Sequence, residues 1–316
     1  MNPETIIPNA YHAPVMLAEC LDGLNIRPEG IYVDVTFGGG GHARAILNRL
    51  TTGKLFAFDQ DADAAANASD LKSDPRFTFI AANFRHLTRY LKLYKAGQVD
   101  GILADLGVSS HQFDTAERGF STRFEAQLDM RMNQQGERNA RQILNEYSAA
   151  ELQSVLGRYG EVHNARTVAE AIVAVRHNSP IQSVNDLKAV AQRYAPRHRE
   201  NKYFAQIFQA LRIEVNEEMA VLEEFLTQVP DVLAPGGRLV VMSYHSLEDR
   251  PVKNFINKGK LEGEVEKDLY GNEIKPLKAI TRKPTEATAA EIELNPRARS
   301  AKLRVAESIG NERMRE

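Results

Sequence analysis

Residues 32–47 read YVDVTFGGGGHARAIL, and this stretch decides the fold. A short run rich in β-branched and aromatic residues leads into four consecutive glycines, and a helical pattern follows them. Glycines at a strand-to-helix turn let a nucleotide-shaped ligand approach the backbone closely. Asp59 comes about 20 residues later, at the end of the next predicted strand, where a carboxylate can accept ribose hydroxyls. The turn fits a dinucleotide with a pyrophosphate and a nucleoside without one equally well.

Strand and helix patterns alternate through the first hundred residues. The predicted strands cover residues 31–37, 54–59, 76–81 and 99–106, and helical patterns lie between them. This alternation is typical of βαβ units and predicts a parallel sheet. A buried-strand pattern returns at residues 238–243, and the sequence near residue 300 predicts a last strand.

The middle of the chain has helical signals only. Ser148 and Ser183 each begin a capping box, in which a hydroxyl and a carboxylate three residues later serve the first amides of a helix. Residues 203–229 form a long amphipathic pattern, which predicts one continuous helix. Residues 257–296 are polar with weak periodicity and predict a long flexible loop.

These patterns predict an α/β protein with one doubly wound sheet and an inserted all-helical domain. The sheet domain is discontinuous and comprises residues 1–111 and 203–316. The insert comprises residues 112–202.

Composition excludes several classes of protein. The net charge of -2 provides no global positive field, so contact with a nucleic acid would need local basic patches. Cys20 is the single cysteine, which excludes an internal disulfide and a cysteine-based zinc site, and no His and carboxylate spacing predicts another metal site. No run reaches the ~20 apolar residues of a membrane span, and the first 26 residues lack Lys and Arg. We therefore expect a cytoplasmic protein without a membrane partner.

Polar side chains follow two predicted strands at the sheet edge where ligands bind in open α/β folds. They are Asp105, Ser109 and Ser110 after the fourth strand and Ser243, Tyr244 and His245 after the late strand. No proton-donor pair for hydride transfer stands near the fourth strand, so the residues favour S-adenosylmethionine over NAD. An NAD(P)-dependent oxidoreductase and a non-catalytic RNA-binding protein remain alternatives at this point.

Eight motifs in a common order then carry a resemblance over nearly the whole chain. They are residues 12–15 (HAPV), 34–42 (DVTFGGGGH), 105–110 (DLGVSS), 117–121 (ERGFS), 128–132 (LDMRM), 208–213 (FQALRI), 243–250 (SYHSLEDR) and 295–300 (NPRARS). With these motifs the chain resembles the bacterial 16S ribosomal RNA (cytosine-N4)-methyltransferases, the RsmH or MraW family. Their fold is a Rossmann-like class I methyltransferase sheet with a helical insert.

The resemblance implies a binding site for S-adenosylmethionine as methyl donor. The residues that match the family's cofactor site are Gly40, Gly41, His42, Asp59, Phe84, Asp105 and Gln112. Gly40, Gly41 and His42 would line the methionine end, Asp59 would accept the ribose hydroxyls, and Phe84 would pack on the adenine side. The chain departs from the family pattern at His111, where proline is usual, and at Gln206 and Ile207, where Thr-Arg is usual.

The implied reaction is methyl transfer to the exocyclic N4 of a cytidine in 16S rRNA of the small ribosomal subunit. We predict Asp105 as the residue that positions the amine, with Ser109 and Ser110 as acceptors nearby. Ser243 belongs to the same predicted catalytic site, and Tyr244 or His245 is expected to stack against the base. Transfer to carbon C5 would need a thiolate. Cys20 stands in an apolar helical stretch, far from any sheet-edge motif, and we expect it to be a core residue.

Two basic runs, residues 193–202 and 297–304, each hold four Lys or Arg residues. A charge run is usually a solvated face, yet these two could supply contacts to RNA phosphates. We predict that the helical insert contributes to RNA recognition and that the protein is a monomer or a homodimer.

Overall fold

The computed structural model describes residues 14–310, so His12 of the 12–15 motif lies outside the described residues. The chain divides into two compact units. The sheet unit takes in the described residues up to Asp59, Asp63–Gly107 and those from Glu223 onward. The helical unit takes in Gln60–Ala62 and Val108–Leu222.

The first hundred residues form alternating helices and strands, as their sequence pattern predicts. In chain order these elements are α1 (Leu17–Leu24), β1 (Ile31–Asp34), α2 (Gly41–Leu47), β2 (Lys54–Asp59), α3 (Ala62–Asn67), β3 (Phe77–Ala81), α4 (Leu87–Leu93) and β4 (Val99–Asp105). The strands consist mainly of buried apolar residues, because helices cover both faces of a parallel sheet.

Helices alone form the middle of the chain. They are α5 (Ser110–Asp114), α6 (Ala140–Glu146), α7 (Ala149–Gly160), α8 (Ala165–Arg176), α9 (Val184–Ala191) and α10 (Glu200–Asn216). Both predicted capping boxes are confirmed, with Ser148 and Glu151 at the start of α7 and Ser183 and Asp186 at the start of α9. The helical unit has a core of its own, to which α6 to α10 contribute buried apolar side chains.

The helical unit extends beyond the segment from residue 112 to residue 202 that the sequence assigned to the insert. Its long segment begins at Val108 and ends at Leu222, and Gln60–Ala62 also belong to it. The reason is α10, whose buried side chains, including Phe204, Ile207 and Leu211, belong to the core of the helical unit.

Strands and helices alternate again in the last part of the chain. The elements are α11 (Glu218–Val232), β5 (Leu233–Ser243), α12 (Ser246–Lys258), β6 (Glu266–Lys267), β7 (Glu273–Ile274), β8 (Leu277–Ala279), β9 (Thr285–Glu286), α13 (Ala289–Leu294) and β10 (Lys302–Ser308).

Two predictions for this part of the chain are wrong. The single helix over residues 203–229 is two helices, because Glu217 adopts a left-handed conformation (φ 52°) that ends α10. The flexible loop over residues 257–296 contains short strands and a helix. Asp268 orders part of it by accepting hydrogen bonds from the backbone amides of Tyr270 and Asn272, each at 2.8 Å.

The sheet positions the candidate site. Its order is β3-β2-β1-β4-β5-β10-β8, with β9 also paired to β10. Strands β1 to β5 are parallel, and β10 runs antiparallel to β5. The strand order reverses between β1 and β4, and at such a switch point the carboxyl ends of the strands form a ligand-binding crevice. The prediction of a Rossmann-like α/β sheet with a helical insert is therefore confirmed.

Among the helices of residues 14–310, none combines the length and the apolar character needed to cross a membrane.

Candidate active site

The turn between β1 and α2 needs a glycine at Gly40 and leaves open space at Gly39. Gly40 has φ 76°, and a Cβ atom there would lie 2.6 Å from the ring of Phe37. At Gly39, by contrast, a Cβ atom would meet nothing within 4 Å, so this side of the turn is open. The amide of Gly38 donates to Asp59 Oδ2 at 2.8 Å, which ties the turn to the end of β2. The turn is thus tied to β2 and open at Gly39.

Three neighbouring parallel strands end in aspartates. Asp34 ends β1, Asp59 ends β2 and Asp105 ends β4. Because these strands are adjacent in the order β2-β1-β4, their carboxyl ends lie at one edge of the sheet. The sequence therefore places three acids where open α/β folds bind their ligands.

Asp105 is held by residues that follow both of its neighbouring strands, β1 and β5. Its backbone amide donates to Thr36 Oγ1 at 2.7 Å, and its Oδ1 atom accepts the hydroxyl of Tyr244 at 2.8 Å. Its Oδ2 atom lies 4.0 Å from His42 Nδ1. Burial raises the pKa of Asp105 to about 7, against the lowering effect of the Tyr244 hydroxyl. The carboxyl group can therefore hold or release a proton near neutral pH.

His42 is a neutral neighbour of this carboxylate. Its side chain is buried, and Nε2 lies 3.1 Å from the carbonyl oxygen of Val15. A carbonyl oxygen only accepts, so Nε2 carries the proton and the lone pair of Nδ1 faces Asp105. Burial lowers the pKa of His42, which keeps the ring neutral at pH 7.

Asp34 is a buried carboxylate with an unused acceptor. It is 1% exposed, and its Oδ1 atom accepts the amide of Thr36 at 3.0 Å. Its Oδ2 atom has no hydrogen-bond partner among the described residues. Burial raises the pKa of Asp34 to about 6. An unsatisfied buried oxygen of this kind is costly unless a ligand or solvent supplies a donor.

Glu248 anchors the turn that follows β5. It is 2% exposed, and it accepts the backbone amide of Tyr244 at 2.9 Å through Oε2. Its Oε1 atom lies 3.2 Å from His245 Nε2. The side chain of Glu248 thereby fixes the backbone from which Tyr244 reaches Asp105. Burial and the charge of Asp105 raise the pKa of the Tyr244 hydroxyl, so it remains a donor.

The match to a known family covers almost the whole chain. The model of the MraW methylase family matches residues 9–309. The chain belongs to this family. Curated relatives agree with the match, and each is named ribosomal RNA small subunit methyltransferase H. The protein from Cytophaga hutchinsonii is 58% identical over 94% of this chain and 99% of its own length. The proteins from Flavobacterium johnsoniae and Parabacteroides distasonis are 57% and 52% identical, each over 95% of this chain and 98% of their own length.

Membership of the MraW methylase family confirms the resemblance and the choice of a methyltransferase over an oxidoreductase. The predicted methyl donor also fits the charge of this edge. S-adenosylmethionine carries a sulfonium and an ammonium group, and the edge offers Asp34, Asp59 and Asp105 to cations. The same three carboxylates would repel the pyrophosphate of a dinucleotide. Asp34 Oδ2, which has no hydrogen-bond partner among the described residues, is a further acceptor that suits a cationic or hydroxylated ligand.

Other predicted residues of the MraW methylase site lie in the sheet unit. The Phe84 ring packs edge-on against Phe225, with 5.3 Å between ring centroids, so its orientation is fixed. Ser243 ends β5, is 2% exposed and pairs with Lys302 of β10. The hydroxyl of Tyr244 reaches Asp105, which gives this residue a polar contact that the stacking prediction did not include.

Ser109 and Gln112 belong to the helical unit of this MraW methylase. Ser109 caps α5, because its Oγ atom accepts the amide of Gln112 at 3.2 Å. Gln112 is buried, and its Oε1 atom accepts the amide of Ser109 at 3.0 Å. Ser110 is the first residue of α5, and the adjacent His111 is exposed. The capping box accounts for the shape of this loop despite the missing proline.

The distance inferred for Cys20 needs a correction. Cys20 lies on α1 and is fully buried, as predicted, but it is close enough to Asp105 and Asp34 for their charges to act on it. Its separation in sequence from the sheet-edge motifs therefore did not predict its distance from them in the folded chain. Burial, followed by these charges, raises the pKa of the thiol, so Cys20 stays protonated and unreactive.

Sequence reasoning missed three residues of this edge. Thr36 bridges Asp34 and Asp105, and Glu248 supports Tyr244. Asp34 could have been found as a carboxylate at a strand end beside the glycine turn. Glu248 gave a weaker signal, since it stands three residues after His245 at the start of a helix, where glutamate commonly binds backbone amides.

Proposed function

We propose that this protein transfers a methyl group from S-adenosylmethionine to the exocyclic N4 of a cytidine in 16S rRNA of the small ribosomal subunit. The observation that carries the proposal is the carboxylate of Asp105 at the carboxyl end of β4, with Oδ1 bound to Tyr244. The names of the relatives, which refer to small-subunit ribosomal RNA, support the choice of substrate.

The exocyclic amine of cytosine is a poor nucleophile because its lone pair is delocalised into the ring. A carboxylate that accepts an N–H bond from the amine localises the lone pair on nitrogen, and a fixed carboxylate also aligns the amine. S-adenosylmethionine supplies an electrophilic methyl group when it is bound. The Tyr244 hydroxyl holds Oδ1 of Asp105, so that Oδ2 is the oxygen that meets the amine.

Methylation also releases a proton from the nitrogen. Asp105, with a pKa of about 7, is matched to take this proton at neutral pH. Ser243 ends β5, Tyr244 and His245 follow it, and in the proposal these three residues flank this carboxylate. Ser109 acts by shaping the loop through its cap of α5. The buried, protonated Cys20 argues against attack through a thiolate, the route that transfer to C5 requires.

A first experiment separates the proposed function from its alternatives. We expect the purified protein to bind S-adenosylmethionine in a calorimeter and to give no heat with NADH. We further expect radiolabelled methyl groups to enter small subunits from cells that lack the protein, and mass spectrometry to identify N4-methylcytidine. Label found at C5, or no label in any ribosomal RNA, would exclude the proposal.

The loop between α9 and α10 suits contact with RNA phosphates. Arg197 and Arg199 are exposed, and their guanidinium groups make no ion pair with any described residue. The second basic run differs, because Arg304 forms a two-bond ion pair with Asp249, at 2.7 and 3.0 Å. The charge of Arg304 is therefore already compensated within the chain. We place the RNA contact at residues 193–202.

Charge reversal tests this contact. In the variant Arg197→Glu with Arg199→Glu, we expect weaker binding to the small subunit, because two phosphate contacts are lost. The slope of log K against log salt concentration should fall by about 1.5 to 2. Filter binding at several salt concentrations measures both quantities.

A matched variant carries the same charge change elsewhere in the helical unit. Arg158 lies over the ring of Tyr159, and Arg166 pairs with Glu170, so both have partners within the chain. We expect Arg158→Glu with Arg166→Glu to leave the salt slope unchanged. Equal slopes for the wild type and the Arg197/Arg199 variant would remove residues 193–202 from the RNA contact.

The proposal includes the setting of the reaction. The substrate is the rRNA within the small ribosomal subunit, in the cytoplasm, and the protein acts as a monomer or a homodimer. Methylation assays on naked rRNA and on assembled subunits, together with light scattering of the free protein, test these points.

A further inference from the structure

The peptide group between Val15 and Met16 is held at both of its polar ends. Its carbonyl oxygen lies 3.1 Å from His42 Nε2, and its amide donates to Glu291 Oε1 at 2.6 Å. All four residues belong to the sheet unit, and Val15 and Met16 are buried. Because the C=O and N–H bonds of a trans peptide point in opposite directions, these two partners together allow one orientation of the group.

Met16 has a backbone conformation that needs support from its surroundings. It stands immediately before α1 with φ 49° and ψ 41°, a left-handed conformation that is unfavourable for a residue with a side chain. Such a conformation persists where neighbouring groups fix it. Pro14, two residues earlier, packs on the glycine turn, because a Cβ atom at Gly41 would overlap its ring. Residues 14–16 therefore lie against the turn, and Glu291 accepts the last of their amides.

The side chain of Glu291 does not make the contact that its position in α13 predicts. Thr288 caps α13, since its Oγ1 atom accepts the amide of Glu291 at 3.2 Å. Thr288-Ala-Ala-Glu291 has the same capping-box spacing as Ser148-Ala-Ala-Glu151, where Glu151 Oε2 accepts the amide of Ser148 at 2.7 Å. Glu291 instead binds an amide that is 275 positions away in the sequence. The local rule for the start of a helix therefore does not account for this glutamate.

The orientation of the peptide decides which nitrogen of His42 carries the hydrogen. With the carbonyl oxygen facing Nε2, the hydrogen is on Nε2, and the lone pair of Nδ1 faces Asp105 Oδ2 at 4.0 Å. A reversed peptide would present the Met16 amide to Nε2, which would then have to accept, so the hydrogen of the neutral ring would move to Nδ1. His42 would then donate to Asp105 Oδ2, the oxygen that the proposed function assigns to the amine.

We infer that Glu291 is a positioning residue for methyl transfer. By accepting the Met16 amide, it keeps the Val15 carbonyl on His42, so that His42 has no hydrogen at Nδ1 to donate to Asp105. Oδ2 of Asp105 is thereby left to the cytosine amine. The inference rests on the proposed function, because it takes Asp105 as the acceptor of that amine. Glu291 acts through the peptide and takes no part in bond making.

The ring nitrogens of His42 test the inference without RNA or methyl donor. In a ¹⁵N NMR spectrum of protein labelled at its eight histidines, a ring nitrogen with hydrogen is distinguished from one without, and the His42→Gln variant identifies the His42 signals. At pH 8 we expect the Nε2–H form in the wild type and in Glu291→Gln, whose amide oxygen still accepts the Met16 amide. In Glu291→Leu we expect the tautomer ratio to shift about tenfold towards Nδ1–H, because one hydrogen bond that fixes the peptide is lost.

Methyl transfer in the same variants shows whether the tautomer matters for the reaction. We expect kcat of Glu291→Leu to fall about tenfold, with KM for S-adenosylmethionine within about twofold of the wild type, and Glu291→Gln to restore kcat. Glu151→Leu is the matched control, because it removes the corresponding glutamate from the start of α7. We expect it to leave kcat within about twofold and the His42 signals unchanged.

The outcomes separate this inference from the proposed function. If Glu291→Leu does not fold, Glu291→Asp replaces it, since the shorter side chain withdraws the carboxylate from Met16. Hydrogen at Nδ1 in the wild type, unchanged His42 signals in the Glu291 variant, or full activity despite a shifted tautomer would overturn the inference. An equal loss of kcat in Glu151→Leu would do the same. A wild type that shows the expected signals but transfers no methyl group would instead refute the proposed function.

Discussion

The variant Asp105→Asn should lose methyl transfer by about 10²- to 10⁴-fold in kcat, the range that general bases contribute. The asparagine has the same shape but cannot accept the proton that leaves the amine. Its amide also offers donors where the amine needs an acceptor. The measurement is transfer of radiolabel from S-adenosylmethionine to small subunits under single-turnover conditions. Activity close to that of the wild type would show that another residue receives the proton.

A control on the same strand is available for this variant. Asp100 lies near the start of β4, at the other end from Asp105, where it pairs with Arg27 and accepts the amide of Ile31 at 2.8 Å. We expect Asp100→Asn to keep kcat within about twofold of the wild type. A similar loss in both variants would mean that the effect reflects the strand and not the chemistry.

The pH dependence of kcat/KM is a second test of the role of Asp105. The carboxylate is the working form, and its pKa is about 7, so kcat/KM should rise with pH and level off above that value. The Tyr244 hydroxyl bond lowers this pKa. In Tyr244→Phe we therefore expect the rising limb to move to higher pH, with the plateau reduced. An unmoved limb would show that Asp105 is not the group that titrates.

The glycine turn shows how far sequence reasoning reaches into the fold. Four glycines, an apolar run and Asp59 predicted the turn, its strands and the parallel sheet, because each signal is local. The same reasoning failed at Glu217, where a non-glycine residue in a left-handed conformation divides the helix predicted over residues 203–229. No local signal marks this residue, since the helical pattern continues on both sides.

Contacts between residues that are far apart in the sequence could not be predicted for the site. Asp105 and Tyr244 were both identified as sheet-edge residues, yet the hydrogen bond between them joins positions 139 residues apart. The place of Cys20 near two carboxylates, and the bonds that Asp61 makes with Gln112 and Arg118, depend on packing in the same way. Such pairs follow from three-dimensional packing, which a single sequence does not report.

The variant Asp34→Asn should make the protein without its methyl donor more stable at alkaline pH. Burial raises the pKa of Asp34 to about 6, so folding favours the neutral carboxyl group. This contribution to stability is complete below the unfolded pKa of about 4 and is lost as the pH rises through 6. A neutral isostere removes the cost of burying the charge. At pH 8 we expect a gain of about 3 kcal/mol in the free energy of unfolding, and at pH 4 little difference.

Urea denaturation at pH 4, 6 and 8 measures this gain, and Asp22→Asn on the exposed face of α1 provides a matched control. In the wild type, we expect a cation bound beside the carboxylate to offset this cost. We therefore expect Asp34→Asn to bind S-adenosylmethionine about tenfold more weakly, and S-adenosylhomocysteine, which lacks the sulfonium charge, with a smaller loss. Lower stability of Asp34→Asn at pH 8 would show that the charge has a compensating partner. Higher stability with weaker donor binding would show that the fold keeps a buried charge at the end of β1 in order to bind a cationic ligand.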